Sequence, residues 1–280
     1  MNNGFFKNLI KHKAAAVCLV ILALELLAIL LLPVFMELDP YTSDVLSMNK
    51  APSDAHILGT DTLGRDIFAR LVYGGRNSLF IGVGSTIISV LIGLPLGLLA
   101  GYYRGFFSTV IMRIADMFMS FPSMVLILVV VALFGSSVWS ITVIIGVLGW
   151  PAVARLLSAN VLSEREKEYV LAAKTIGTRN SVILWRYILP NAVSPLWMSL
   201  AFRISQAMIM ESGLSFLGAG VQPPESSWGN IIQAANNIVV LSSRWWIWIP
   251  AGLCLIVTIV CINFVGEGIR DALDPKLKRV

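Results

Sequence analysis

Three ionisable residues stand inside stretches otherwise too apolar for them: Glu25 within 14–36, and Arg203 and Glu211 within 195–220. A charge at the centre of a membrane helix costs at least about 2.5 kcal/mol, so each must be neutralised, paired or turned to water. Such groups mark interhelical contacts, proton relays or solute paths. For Glu25 an interhelical partner is preferred to a solute contact. Arg203 lies eight residues past Pro195, about 12 Å into its stretch, so snorkelling to the surface and lining a path are equal alternatives. Glu211 joins them as a candidate polar group of the interior or path. Covalent and metal chemistry have no comparable foothold. Cys18, Cys254 and Cys261 form no CxxC pair, the histidines are His12 and His56 alone, and HExxH is absent, so neither a redox centre, a metal site nor an intramembrane enzyme is indicated. The sequence also lacks GxxxxGK[ST] and any Gly-Lys pair. It therefore builds no phosphate loop of that kind; if its work needs ATP, another chain hydrolyses it.

The elements that must hold these groups are membrane helices. Of 280 residues, 57% are hydrophobic and 13% charged, and the mean hydropathy is +0.80, whereas a soluble domain carries about 25% charged residues. Stretches 79–100, 117–139 and 245–266 contain no charge, 14–36 carries only Glu25, 140–157 carries Arg155, and 195–220 carries Arg203 and Glu211. Each is long enough to cross a bilayer. The expected fold class is all-α: a polytopic membrane protein with six transmembrane helices. Lys7, Lys11 and Lys13 ahead of the first stretch imitate a secretory signal. The apolar core is longer than a signal's and no small-residue cleavage site follows, so a retained helix is expected. Fifteen of the 21 Lys and Arg residues then fall on the side of the N-terminus and five on the other, with Arg203 inside a span. The positive-inside rule places both termini in the cytoplasm. The net charge of +5 follows from this topology and gives no reason to expect a nucleic acid partner.

Segments 37–78 and 221–244 are thus expected outside, and 101–112 and 158–192 inside. In the first outer segment Asp66 and Arg70 have the spacing of an i, i+4 pair on a short helix, flanked by Gly59, Gly64, Gly74 and Gly75, which predicts a turn-helix-turn cap over the outer mouth. Arg113 and Asp116 are spaced as a local i, i+3 pair, and Trp245, Trp246 and Trp248 as an interfacial aromatic belt. Gly93 and Gly97 have GxxxG spacing, equally suited to packing within the chain or against another subunit. Pro95 is expected to bend that helix.

Segment 158–192 is the polar exception. Ser163 to Glu166 fits a capping box and predicts a helix start near Glu164. Tyr169, Ala172, Ala173 and Ile176 follow i, i+3, i+4, i+7 as one apolar face, and Gly177 offers the left-handed conformation that ends helices. Asn180 is expected to cap a second helix in which Val182, Trp185 and Leu189 share a face, closed by Pro190 and Asn191. Two short amphipathic helices would lie flat in the headgroups or form a docking knob for protein. The alanines favour the knob, because they permit close backbone approach.

AAKTIG with Pro190 resembles the cytoplasmic coupling loop of permease subunits of ABC importers. Leu171 stands where the broad pattern has Glu, and Glu168 precedes it in the EYV-x-AA form of the peptide and nickel branch. The segments HILGTDTLGRDIFARLVYGGRNSL (56–79), MRIADMFMSFP (112–122), ESGLSFLGAGVQPPESSWG (211–229) and RDALDP (270–275) are similar to the C-type permease of that branch, in order and across almost the whole chain. The resemblance implies an N-terminal helix with extracytoplasmic loop over 1–78, a permease domain over 79–280, and a coupling loop between helices 4 and 5. It implies ATPase coupling through Glu168, Tyr169, Ala172, Ala173, Ile176, Gly177 and Pro190. It further implies a bacterial or archaeal plasma membrane, a second homologous permease, two ATP-binding subunits that hold the ATP and Mg, and an extracytoplasmic solute-binding protein. No cofactor is expected in this chain. Peptides, nickel or metal chelates and related small solutes are the implied cargo. On this reading Gly177→Asp or Ala173→Asp leaves insertion intact but uncouples hydrolysis from uptake. A stand-alone secondary transporter or channel is the alternative, in which Glu25 carries protons.

Overall fold

The computed structural model describes residues 13–103, 105–193 and 195–273; expectations resting on Lys7, Lys11, His12, Arg104 and positions 274–280 lie outside the described residues. Among the described residues the chain is helical, without a β-strand, apart from an isolated bridge between Thr60 and Asp66. The helices are α1 (Lys13–Phe35), α2 (Ile67–Tyr102), α3 (Phe106–Ser120), α4 (Ser123–Phe134), α5 (Val138–Arg165), α6 (Glu168–Thr175), a helical stretch α7 over 180–192, α8 (Leu196–Phe216), α9 (Trp228–Ile232), α10 (Ile238–Ser243) and α11 (Trp245–Leu273).

By length and composition α1, α2, α5 and α11 can each cross a membrane, and α3 with α4 form a fifth candidate, bent by 88°. The unbroken span expected over 117–139 is therefore not present. Pro122 disfavours the helical conformation at Phe121, which sits extended at φ −93° and ψ 145°, and Gly135 at φ +87° ends α4, as proline and glycine dictate. Trp139 belongs to the next helix, whose start is capped by the Ser137 hydroxyl accepting from Ser140 N at 3.1 Å. Helix α8 has the length of a span, but Arg203, Gln206 and Glu211 dilute its apolar character and it is not among these candidates.

The spine is the pair α2 and α5, brought together by small residues. A Cβ at Gly93 would lie 2.6 Å from Val153 Cβ, at Gly97 2.7 Å from Ala154 O, and at Gly101 2.7 Å from Ser158 O. The small-residue row thus packs inside the chain, resolving the two readings of Gly93 and Gly97. Helix α2 starts at Ile67, not near Leu79, and runs on past Pro95 without a break; its 36 residues reach about 54 Å. Helix α1 packs on α11, with Thr258 Oγ1 donating to Glu25 Oε1 at 2.7 Å. Pro33 removes the N–H that would satisfy Ile29 O, and Arg76 Nε donates to that carbonyl at 3.0 Å instead.

At the α2 N-terminus the predicted pair is replaced by others. Asp66 caps α2 by accepting from Ala69 N at 2.8 Å and lies 2.9 Å from His56 Nδ1. Arg70 Nη1 lies 3.2 Å from Asp61 Oδ2, which Arg65 also reaches at 2.8 Å. Asp66 is committed to the helix end, so Arg70 turns to the partner buried beside it. Gly74 and Gly75 do not flank a short helix but lie inside α2, against Ser227 and against Ile29 and Trp228. Arg113 and Asp116 approach to 3.8 Å on the surface, and Arg155 also pairs with Asp116. Trp246 and Trp248 pack toward Ile67, Val240 and Ile247, while Trp245 remains exposed.

Candidate functional site

At the end of α2 and α5 remote from Asp66, residues 166–193 form a compact knob. The expected capping box at Ser163 does not form: α5 continues to Arg165, and α6 starts at Glu168 after Lys167, which supplies no side-chain cap. Glu164 is engaged by Lys167 Nζ and by Tyr169 OH, which donates at 2.5 Å. Burial and this donation push the Tyr169 phenol up to about 12, so it remains a donor throughout the neutral range. Asn191 Nδ2 donates to Tyr169 OH at 3.2 Å and to Tyr187 O at 2.8 Å. Tyr169 therefore ties α6 to both α5 and α7.

Gly177 adopts φ +77°, with Gly177 N donating to Lys174 O and Thr178 N to Ala173 O at 3.1 Å, the closure of a helix by a left-handed residue. The predicted apolar face is divided by the fold. Val170 and Ala173 turn inward onto Leu157, Val161, Ile183 and Ile188, whereas Tyr169, Ala172 and Ile176 face out. In α7 the inward residues are Ile183, Leu184 and Ile188, not Val182, Trp185 and Leu189; Val182 and Trp185 are exposed and Leu189 only partly covered. A π-helical turn over Ile183–Ile188 shifts the phase from the regular 3.6-residue pattern. Asn180 does not cap α7. Its side-chain oxygen accepts from Tyr102 OH at 2.7 Å, while Arg179 occupies the cap position. Glu168, Gly177 and Pro190 are all exposed on the outer side of the knob.

The knob is attached to the spine through Tyr102, the last residue of α2. Besides its bond to Asn180, Tyr102 accepts at its carbonyl from Arg165 Nη1 at 2.6 Å, and its ring lies 5.6 Å from Lys174 Nζ. Sequence reasoning passed over Tyr102, Arg165 and Asn180 as attachment points; an aromatic pair directly before Arg104 at a span end was the available signal. Tyr102→Phe removes one hydrogen bond, about 1 kcal/mol. Amide exchange over 168–182 is expected to accelerate about fivefold, with α2 itself unchanged, as measured by hydrogen–deuterium exchange mass spectrometry.

The three intramembrane polar candidates occupy separate places. Glu25 joins α1 to α11 through Thr258. Glu211 is fully buried beneath the segment after α8, accepting from Ser227 Oγ at 2.7 Å and Ser215 Oγ at 2.8 Å. Ser227 caps α9 in a reciprocal pair with Asn230, and Asn230 also holds Arg70, Val221 O and Glu225 O. Glu211 thus supports the elements gathered over the α2 N-terminus. Glu211→Leu leaves two buried hydroxyls without their acceptor and is expected to cost about 2 kcal/mol, read by thermal unfolding of the purified protein. Glu211→Gln retains an acceptor and should lose less.

Arg203 points into a cavity of about 320 Å³ between α2, the α3–α4 break, α5 and α8. Its Nη2 donates to Gly149 O at 2.7 Å and Ser89 Oγ at 3.2 Å. The three candidates therefore form no relay in the described residues; of the three, Arg203 alone lines this cavity.

Residues 93–279 match the family described as binding-protein-dependent transport system inner membrane component, and residues 3–52 match the N-terminal TM domain of oligopeptide transport permease C. The sequence is 38% identical over 267 residues to a putative peptide permease protein of Brucella suis biovar 1, covering 95% of this chain and 88% of the relative. It is 41% identical over 231 residues to the glutathione transport system permease protein GsiD of Pectobacterium atrosepticum, covering 82% and 76%. With the oligopeptide transport system permease protein OppC of Bacillus subtilis it shares 36% identity over 269 residues, covering 96% and 87%. Among solved structures, a chain of the MetNI methionine ABC transporter in an inward-facing conformation has a similar fold, with TM-score 0.61 and 21% identity over 73% of this chain and 96% of that one.

Proposed function

The chain belongs to the family of inner-membrane permease components of binding-protein-dependent transport systems, and on that premise we propose that it is one of two permeases forming the pore of an ATP-driven peptide importer. The peptide cargo rests on the names of its relatives; nickel and metal chelates have less support. The six spans are then α1, α2, the broken α3–α4 unit, α5, α8 and α11, with both termini in the cytoplasm of a bacterial or archaeal cell. The partners are a second homologous permease, two ATP-binding subunits and an extracytoplasmic solute-binding protein. ATP and Mg belong to the ATPases, and this chain catalyses no reaction of its own.

The observation that carries the reading is the outward face of the knob. Ile176 is 80% exposed and Trp185 61%, beside exposed Ala172 and Gly177, on two short helices whose opposite faces are locked to α2 and α5. A surface both apolar and rigidly joined to the spine suits a partner that pushes on it. ATPase closure would move the knob, and Tyr102, Arg165 and the inward residues would carry that displacement into the spine. The ATPase pair must favour one arrangement differentially; about 5.5 kcal/mol moves a 1:99 population to 99:1.

The test is reconstitution of the complete transporter in proteoliposomes with ATP inside or outside and a tripeptide mixture delivered by the binding protein. Uptake that requires ATP on the ATPase side and all partners is expected. Uptake driven by a proton gradient without the ATPases would select the stand-alone transporter instead.

A further inference from the structure

Resting on the reading of this chain as a peptide importer permease, we infer that the Arg203 cavity is a way station for the carboxylate of the cargo. Arg203 is the one charged side chain among the residues lining it, and no acidic residue shares that lining. Its guanidinium is only partly used: Nη2 is bonded to Gly149 O and Ser89 Oγ, while the buried Nε has no hydrogen-bond partner. A planar cation with an unsatisfied donor and an Nη2 held only by a carbonyl and a hydroxyl fits a carboxylate, which accepts two parallel N–H bonds once Nη2 is released from Gly149 and Ser89.

The remaining lining explains why the site suits an anion in transit. Ser85 and Thr86 donate their hydroxyl protons to Ile81 O and Gly82 O, and Ser89 donates to Gly146 O. Their oxygens are left to accept, so Arg203 is the strong donor on offer. Gln206, one turn along α8 from Arg203, adds an amide, and Phe121 and Met210 supply apolar wall. Ser89 and Gly149 come from α2 and α5, the two helices that hold the knob. Relative movement of these helices therefore changes what restrains Nη2, so the availability of Arg203 is linked to the same spine that the knob displaces. Weak, single-cation capture also leaves the cargo free to depart, since passage needs binding strong enough to enter and loose enough to release.

The experiment uses the reconstituted transporter with its partner chains and binding protein, and a mixture of tripeptides offered either as free acids or as C-terminal amides. Wild type, Arg203→Gln and Arg203→Lys are compared by mass spectrometry of the vesicle contents. Both variants receive cargo from the same binding protein, so its own preference cancels in the ratio of acid to amide uptake relative to wild type. Arg203→Gln is expected to lower that ratio at least about tenfold, the loss of a charge-assisted pair, and Arg203→Lys to restore part of it. Direct binding of the two mixtures to the purified transporter without binding protein should show the same shift. A ratio equal to that of wild type, or an equal fall in acids and amides, would overturn the inference while leaving peptide import intact. Absence of any tripeptide uptake by wild type would overturn both the inference and the reading beneath it.

Discussion

Ile176→Asp is expected to leave the chain folded and inserted while ATP-driven uptake falls at least about tenfold and ATP hydrolysis by the partners continues. Ile176 is 80% exposed, so the free protein loses little, as with most surface substitutions. If the knob docks on the ATPase as proposed, the same position becomes covered, and an unpaired carboxylate there would be desolvated without compensation. A penalty of about 1.4 kcal/mol already corresponds to tenfold in an equilibrium. The quantity to measure is the ratio of peptide transported to ATP consumed, together with the thermal unfolding of the purified variant. Ala173→Asp is a different experiment: the expectation from sequence is that it leaves insertion intact and uncouples hydrolysis from uptake, but its position makes a folding defect the first effect. Ala173 is 4% exposed and packs inward with Val170 and Ile183, so the aspartate would disturb the knob itself. Equal unfolding curves for wild type and Ile176→Asp, and a lowered curve for Ala173→Asp, would separate docking from folding.

The second large effect is on the spine. A Cβ at Gly97 would stand 2.7 Å from Ala154 O and 3.0 Å from both Ala154 Cα and Leu157 Cβ. Two of these atoms are backbone, which no rotamer change can move aside. Gly97→Leu must therefore separate α2 from α5, and overpacking of this kind costs about 3 kcal/mol or more. The unfolding midpoint should fall on the order of 5–10 °C. Gly252, where an added Cβ would meet nothing within 4 Å, is the control: Gly252→Leu should change the midpoint little. A similar fall in both variants would show that glycine as such, and not the α2–α5 contact, sets the effect.

Much of this architecture is written in local sequence. The apolar stretches locate the helices, Gly177 ends α6 as a glycine after a helical run should, and the Phe121–Pro122 pair signals the break between α3 and α4 to a reader who weighs proline above hydropathy. What local pattern does not contain is phase relative to the rest of the chain. Tyr169, Ala172, Ala173 and Ile176 share apolar or amphipathic character, yet only contact with α5 and α7 decides that Ala173 turns in with Val170 while Ile176 turns out. Asp66 and Arg70 have pairing distance in sequence, but capping claims the first and Asp61 the second. Ser163 and Glu166 match a capping box because the motif is short; the helix propensity of the preceding residues carries α5 past it. The Arg203 cavity is less legible still, since Ser89, Gly149 and Arg203 meet only through the glycine-mediated approach of α2 to α5 and the packing of α8 against α2.

The most direct measurement places a photo-crosslinking residue at position 176 in the assembled transporter in its native membrane, with the same residue at position 46 for comparison, since Leu46 is 87% exposed near the opposite end of α2. The account predicts adducts to the ATP-binding subunit from position 176, strengthened when ATP closes the ATPase pair, and none to that subunit from position 46. Lipid adducts alone from position 176, or ATPase adducts from position 46, would contradict it.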